Sequence, residues 1–320
     1  MIDRQGRRIN YLRISVTDRC NLRCIYCMPP EGVPPVPHES LLTFEEIQRV
    51  VSIGASLGIT KVRLTGGEPI VRKSIEKLVR YVAETPGLKE VGMTTNGILL
   101  AERAGSLRSA GISRVNISLD TLQPERYRRI SRIGRVDQVL KGIEAALAAG
   151  YDAVKINVVV MRDVNDDEIE AFARLTIDRQ IDVSFIELMA VGRTGLADAR
   201  RLVPGDDILE RLRAMERLDP VEATPSSGPA RRFRLKGGRG VIGLITPVTS
   251  PFCERCNRLR LSSEGRLRSC LVEGGEIELR ALLRAGCPDE EIAQAFRKAA
   301  SLKPVRHQCR PLEHMSRIGG

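Results

Sequence analysis

Short runs rich in β-branched residues alternate with stretches of helical apolar spacing through the first two thirds of the chain. The runs fall at about 11–17, 60–65, 89–95, 113–119, 153–160 and 182–187 and predict six strands. Between the first two, residues 44–57 place Phe44, Ile47, Val50, Val51 and Leu57 on one helix face, and Thr43 with Glu46 makes a capping box at its start. Similar patterns at 74–84, 100–110, 136–149 and 165–180 supply the other crossovers. Such alternation predicts an α/β fold with a parallel sheet. Six units are too few for an eight-unit barrel, so the expected architecture is a partial parallel β/α barrel, open on one side to a large substrate.

Parity within the strands points polar residues toward the lumen. Val62 and Leu64 would face the helices, which turns Lys61, Arg63 and Thr65 inward. Likewise Arg13 opposes Leu12 and Ile14, Ser118 opposes Ile117 and Leu119, and Lys155 opposes Val154 and Ile156. Inward cations are costly without an anion. They either await an anionic ligand or pair structurally with Glu68 or Asp120.

The alternation breaks after about residue 195, at Pro204, Pro220, Pro225, Ser226, Ser227, Gly228 and Pro229. A boundary near 225 gives a barrel domain over 1–225 and a smaller domain over 226–320. The second part carries hairpin signals at Gly237-Gly238-Arg239-Gly240 and Ser263-Glu264-Gly265, a helical pattern at 289–300 and an extended tail.

A chain of 320 residues with 42% hydrophobic content suits one large core, or a core with a smaller unit attached. Neither an apolar leader nor a membrane-length apolar run is present, so a soluble cytoplasmic protein without a membrane partner is expected. The net charge of +11 calls for an anionic partner. Aromatic content of 3% with no Trp leaves few stacking surfaces and counts against nucleic acid as that partner.

The eight cysteines are clustered, which favours metal binding over disulfides. Cys20, Cys24 and Cys27 form CxxxCxxC, three ligands in one loop, and His38 is the nearest further candidate. Structural zinc normally takes four protein ligands. A 4Fe-4S cluster can hold three irons on thiolates and leave the fourth open to a small molecule. Cys253, Cys256 and, thirteen residues on, Cys270 form a second triad. Its spacing fits a second open cluster and, equally, zinc closed by Cys287, His307 or His314.

CxxxCxxC after the first strand, with Thr65-Gly66-Gly67-Glu68-Pro69 closing the second, resembles the radical S-adenosylmethionine (SAM) superfamily. The resemblance implies SAM chelated at the open iron, an electron passed to its sulfonium and release of a 5'-deoxyadenosyl radical. It places Tyr26 beside the adenine and Gly67, Ser118 and Met189 on SAM.

Nearly the whole chain is similar to the GTP 3',8-cyclase family of molybdenum cofactor biosynthesis. The likeness rests on the stretch from Leu12 through Asn21, Thr94-Thr95-Asn96-Gly97, Asn116-Ile117-Ser118-Leu119-Asp120, Phe185-Ile186-Glu187, Cys256-Asn257-Arg258-Leu259-Arg260-Leu261 and the C-terminal Met315-Ser316-Arg317-Ile318-Gly319-Gly320. It implies two 4Fe-4S clusters, the second holding the purine of GTP, and radical attack from C3' of GTP onto C8. GTP contacts would come from Arg13, Arg63, Thr94, Lys155, Arg258, Leu259 and Arg260. Arg13, Arg258, Arg260 and the tail residues Gly319 and Gly320 would serve the chemistry.

Implied partners are a flavodoxin- or ferredoxin-type electron donor and a downstream cyclic pyranopterin monophosphate synthase, with the enzyme a monomer or homodimer. One departure stands out. Relatives can carry a triphosphate-binding Arg before Phe185, where this chain has Ser184; Arg193 is a nearby substitute. Rival readings are a radical maturase acting on a peptide and a zinc-stabilised RNA-binding protein.

Overall fold

A computed structural model describes residues 1–189, 199–222, 228–273 and 275–308. The barrel portion runs β1 (Tyr11–Ser15), α1 (Phe44–Ser56), β2 (Lys61–Thr65), α2 (Ile75–Ala83), β3 (Glu90–Thr95), α3 (Leu100–Ala110), β4 (Arg114–Ser118), α4 (Pro124–Ser131), α5 (Val136–Ala148), β5 (Ala153–Val160), α6 (Ile169–Asp178) and β6 (Ile181–Glu187). There follow α7 (Gly205–Met215), β7 (Leu218–Pro220), β8 (Arg231–Leu235), β9 (Ile242–Ile245), β10 (Arg258–Leu261), β11 (Arg266–Arg268), β12 (Glu276–Glu278), α8 (Arg280–Arg284) and α9 (Asp289–Ser301). The six expected strands are present. Helices α4 and α7 were not anticipated: α4 is short and opens on Pro124, and α7 begins directly after Pro204 inside the proline-rich stretch.

Among the described residues one sheet runs β12-β11-β10-β1-β2-β3-β4-β5-β6-β9-β8-β7. Strands β1 to β6 are parallel, β10 joins β1 in parallel and β9 joins β6 in parallel. The last third of the chain thus extends the partial barrel on both sides. Both hairpin signals fall at antiparallel turns, β8–β9 and β10–β11. The expected boundary near 225 lies outside the described residues.

Alternation is clearest in β5, where Val154, Ile156, Val158 and Val160 are buried against the helices and the residues between them face the lumen. A parallel strand covered on both faces would read as a continuous apolar run; here the inner face is kept for polar side chains. One hydrophobic cluster joins the barrel (Leu12, Leu64, Ile156, Phe185) to the C-terminal segment (Leu259, Leu261, Ile292, Phe296). Phe296 of α9 packs over Gly54 of α1, where a β-carbon would lie 3.3 Å from its ring. Truncating Leu64, fully buried in that cluster, would cost about 2–5 kcal/mol. No described helix is long and apolar enough to cross a membrane.

Candidate active site

The lumen is a single cavity of about 670 Å³, and both cysteine triads line it. Strand direction fixes where each lies. Cys20, Cys24 and Cys27 follow the C-terminal end of β1, whereas Cys253 and Cys256 precede the N-terminal end of β10, which runs parallel to β1. Cys270 follows β11, antiparallel to β10, and so returns to the same end as Cys256. The triads therefore face the cavity from opposite ends of the barrel.

At the first end the cysteine loop is clamped by backbone. Gly67 N donates to Thr17 O at 2.7 Å and Glu68 N to Arg19 O at 2.8 Å. A β-carbon on Gly67 would sit 2.2 Å from Arg19 O, so only glycine allows the two loops to touch. Buried Glu68 accepts from Asn96 N at 2.6 Å and Thr95 Oγ1 at 2.7 Å, and Asn96 Nδ2 in turn donates to Asn21 Oδ1 at 2.7 Å and approaches Cys20 Sγ at 3.8 Å. Tyr26 donates its hydroxyl to Asp120 Oδ2 at 2.7 Å, which fixes the ring; burial holds the Asp120 carboxyl up at about 6. Burial and the adjacent Cys20 thiol push Cys27 up to about 12, with Asp120 adding to both. Three crowded thiols ionise readily only beside a cation.

Between the ends the wall is cationic. Register puts Arg260, Arg13 and Arg63 side by side on β10, β1 and β2, with Arg258, Tyr11 and Lys61 in the next row. Arg63 Nε donates to the Tyr11 hydroxyl at 2.8 Å. Its guanidinium lies over Gly92, where a β-carbon would come within 2.7 Å. Burial and the neighbouring cations Arg258 and Arg63 lower Arg13 to about 10; burial, Arg13 and Arg258 lower Arg260 well below its usual range. Burial alone would raise Tyr11, yet Arg63, Arg13, Lys61 and Arg258 bring it down to about 7. Glu90 answers part of this charge, 2.7 Å from Lys61, 3.6 Å from Arg63 and 3.5 Å from Arg114. For Lys61 and Arg63, structural pairing thus falls on Glu90 and not on Glu68 or Asp120. Thr94 Oγ1, Asn157 Oδ1 and Ser184 Oγ are buried polar atoms without a hydrogen-bond partner in the cavity wall. A polar anion fits this lining on both counts.

At the second end buried Lys303 donates to Arg258 O at 2.8 Å, Ser269 O at 3.0 Å and Cys256 Sγ at 3.4 Å. Arg7, itself paired with Asp3 at 2.5 Å, donates to Cys253 O at 2.8 Å. Burial pushes the Cys256 thiol up, but Arg258 and Lys303 outweigh it and bring the group to about 6. Cys287 packs into the hydrophobic core and does not line the cavity, which removes it as a fourth ligand; His307 does line it. His38, the extra candidate at the first triad, is exposed and outside the cavity. Among the described residues, no three His, Cys, Asp or Glu side chains surround a single-ion position.

Arg13, Tyr26, Arg63, Gly67, Thr94, Ser118, Lys155, Met189, Arg258 and Arg260 all line the cavity. Leu259 does not: it lies out of phase with Arg258 and Arg260 and its side chain is fully buried in the core. Gly319, Gly320, Arg193, His314 and Cys309 lie outside the described residues. Sequence reasoning missed Tyr11, Glu90, Arg114, Asn116, Asn157, Lys303 and Arg7. Parity would have found Tyr11, Asn116 and Asn157, each two residues from an assigned inward position, and Arg114, four residues from Ser118.

A parallel partial barrel with three thiols on the loop after its first strand defines the class. The Radical SAM superfamily profile matches residues 14–176, and the chain is a radical SAM enzyme, a class that carries SAM and a 4Fe-4S cluster. Molybdenum Cofactor Synthesis C matches residues 181–309. The GTP 3',8-cyclase of Moorella thermoacetica is 51% identical over 324 residues, covering 100% of both chains, and that of Pelotomaculum thermopropionicum 49% over 325 residues, again covering 100% of both. The chain belongs to the GTP 3',8-cyclase family. In fold it is similar to Streptococcus suis SuiB crystallised with S-adenosylmethionine, with a TM-score of 0.62 at 17% identity, over 91% of this chain and 68% of that one.

Proposed function

We propose that this enzyme converts GTP to 3',8-cyclo-7,8-dihydro-GTP, the first step toward molybdopterin, using a 4Fe-4S cluster on each triad. The observation that carries this reading is the cationic wall lying between two cysteine triads at opposite ends of one cavity. When bound, the first cluster and SAM supply an electron and a 5'-deoxyadenosyl radical. Cys20, Cys24 and Cys27 would hold that cluster through their three thiolates, a donor set that would leave room for SAM beside it. Gly67, Ser118 and Met189 border SAM, and Tyr26, held by Asp120, sets the adenine.

The nucleotide spans the space between the triads. Arg63 and Lys155 with Thr94 hold its phosphates, and Arg forks suit phosphate oxygens bidentately. Arg258 and Arg260 project beside Cys256 and Cys270, where they keep the purine at the second triad. Arg13, between Arg63 and Arg260 in the row, binds across both parts. The Leu259 side chain is turned into the core, and Gly319 and Gly320 of the C-terminal motif are assigned to the chemistry. A cytoplasmic setting, a flavodoxin- or ferredoxin-type donor and a downstream cyclic pyranopterin monophosphate synthase complete the reading.

Anaerobic turnover with GTP, followed by mass spectrometry, tests it. Protein carrying about eight irons per chain is expected to yield 5'-deoxyadenosine and cyclised GTP together. Neither product from such protein would overturn the assignment.

A further inference from the structure

On the far side of the sheet from β1, the register sets Ser184 of β6 beside Gly243 of β9, and Gly243 beside Arg232 of β8. Neighbours in register share a face of the sheet. Ser184 and Arg232 accordingly both line the cavity. The residue between them has to be bare: a β-carbon on Gly243 would lie 2.8 Å from Ser184 Oγ. Ser184 is fully buried, its hydroxyl has no hydrogen-bond partner, and it brings no charge to its part of the wall.

Arg232 is half-buried and anchored by a hydrogen bond from Nη1 to Glu222 O at 3.2 Å. It also sits within electrostatic reach of Lys155 on β5, three strands inward. Burial lowers the Lys155 pKa, Arg63, Arg232 and Lys61 lower it further, and Asp182 opposes them. Lys155 thus belongs to a group of like charges that an anion would relieve, and Arg232 is the member contributed by the C-terminal segment.

We infer that Arg232 binds the polyphosphate of the nucleotide substrate, reaching from β8 across bare Gly243 to supply the cation that Ser184 does not. The inference rests on the GTP reading and extends it to this chain's own solution at that wall. Arg193, the neighbour considered from sequence, is not required. The competing account is structural: Arg232 balances Asp182 and touches no ligand.

Equilibrium dialysis of GTP and GMP against the anaerobic, cluster-loaded full chain separates the two, with steady-state kinetics alongside. Arg232→Ala is expected to weaken GTP binding roughly tenfold and raise KM while kcat and GMP binding stay within about twofold. Ser184→Arg placed in that background is expected to restore most of the GTP affinity, because the two positions share a row. Arg234→Ala, an exposed cation on the same strand, is expected to bind both nucleotides as the wild type does. Unchanged GTP affinity in Arg232→Ala, or equal loss for GTP and GMP, overturns the inference alone. Wild-type protein that binds no GTP overturns the proposed function and this inference with it.

Discussion

The two cysteine triads are held by different means at the two ends of the cavity. The first is gripped by neutral, short-range packing: bare glycines against the Thr17 and Arg19 carbonyls, a buried Glu68, and Asn96 reaching Cys20. The second is held by cations, with Lys303 on Cys256 and Arg7 on the Cys253 carbonyl. Their electrostatics differ in sign. Burial and acidic neighbours push Cys27 up to about 12, whereas Arg258 and Lys303 overcome burial at Cys256 and bring it to about 6. Thiolate ligands must lose their protons. The first end therefore favours anions only once a cationic centre is in place, while the second is already a positive environment for thiolate and nucleotide alike.

That contrast can be broken most directly by removing one thiol from each end. Cys24→Ala is expected to abolish 5'-deoxyadenosine and cyclised GTP together. Cys256→Ala is expected to abolish only the cyclised product, leaving SAM cleavage measurable by chromatography. Equal loss of 5'-deoxyadenosine in both variants would mean that the ends do not act separately. A smaller effect follows from Lys303→Met, which removes three hydrogen bonds at the second end. Second-site iron occupancy and cyclisation should fall roughly 10- to 100-fold, with iron at the first site retained. Loss of iron from both sites would contradict the separation.

Much of the first end was legible because its signals are local. Strand parity placed Arg13, Arg63, Ser118 and Lys155 on the lumen, and CxxxCxxC lies in one loop. The second end depends on pairings across the whole chain, such as β10 on β1 and Lys303 against residues 256, 258 and 269. No periodicity announces these. Glu90 was missed because its partners Lys61, Arg63 and Arg114 become neighbours only through register. Gly92 was a readable signal, since a glycine inside a strand marks close approach, and here it makes room for Arg63. Leu259 entered with its motif as a block, although parity already turns its side chain away from its two arginine neighbours and into the core.

The smallest expected effect sharpens the account of the first end through pH. Glu68 is 1% exposed, and burial raises its carboxyl from 4.5 to about 7 against the donors Asn96 N, Thr95 Oγ1 and Ile70 N. An acid whose pKa is higher folded than unfolded binds more protons in the native state between the two values. Its contribution is therefore full below about pH 4.5 and is lost as pH rises through about 7. The magnitude is of order 2–3 kcal/mol. Glu68→Gln removes the titration while keeping a carbonyl oxygen for the backbone donors. Over about pH 5 to 7.5, the wild-type melting temperature should fall by a few degrees relative to the variant, and above about pH 8 the difference should be flat. Scanning fluorimetry across that range checks it. Parallel curves for the two proteins would show that Glu68 is charged in the folded state throughout, and the clamp on Asn96 and Cys20 would then be ionic at every pH.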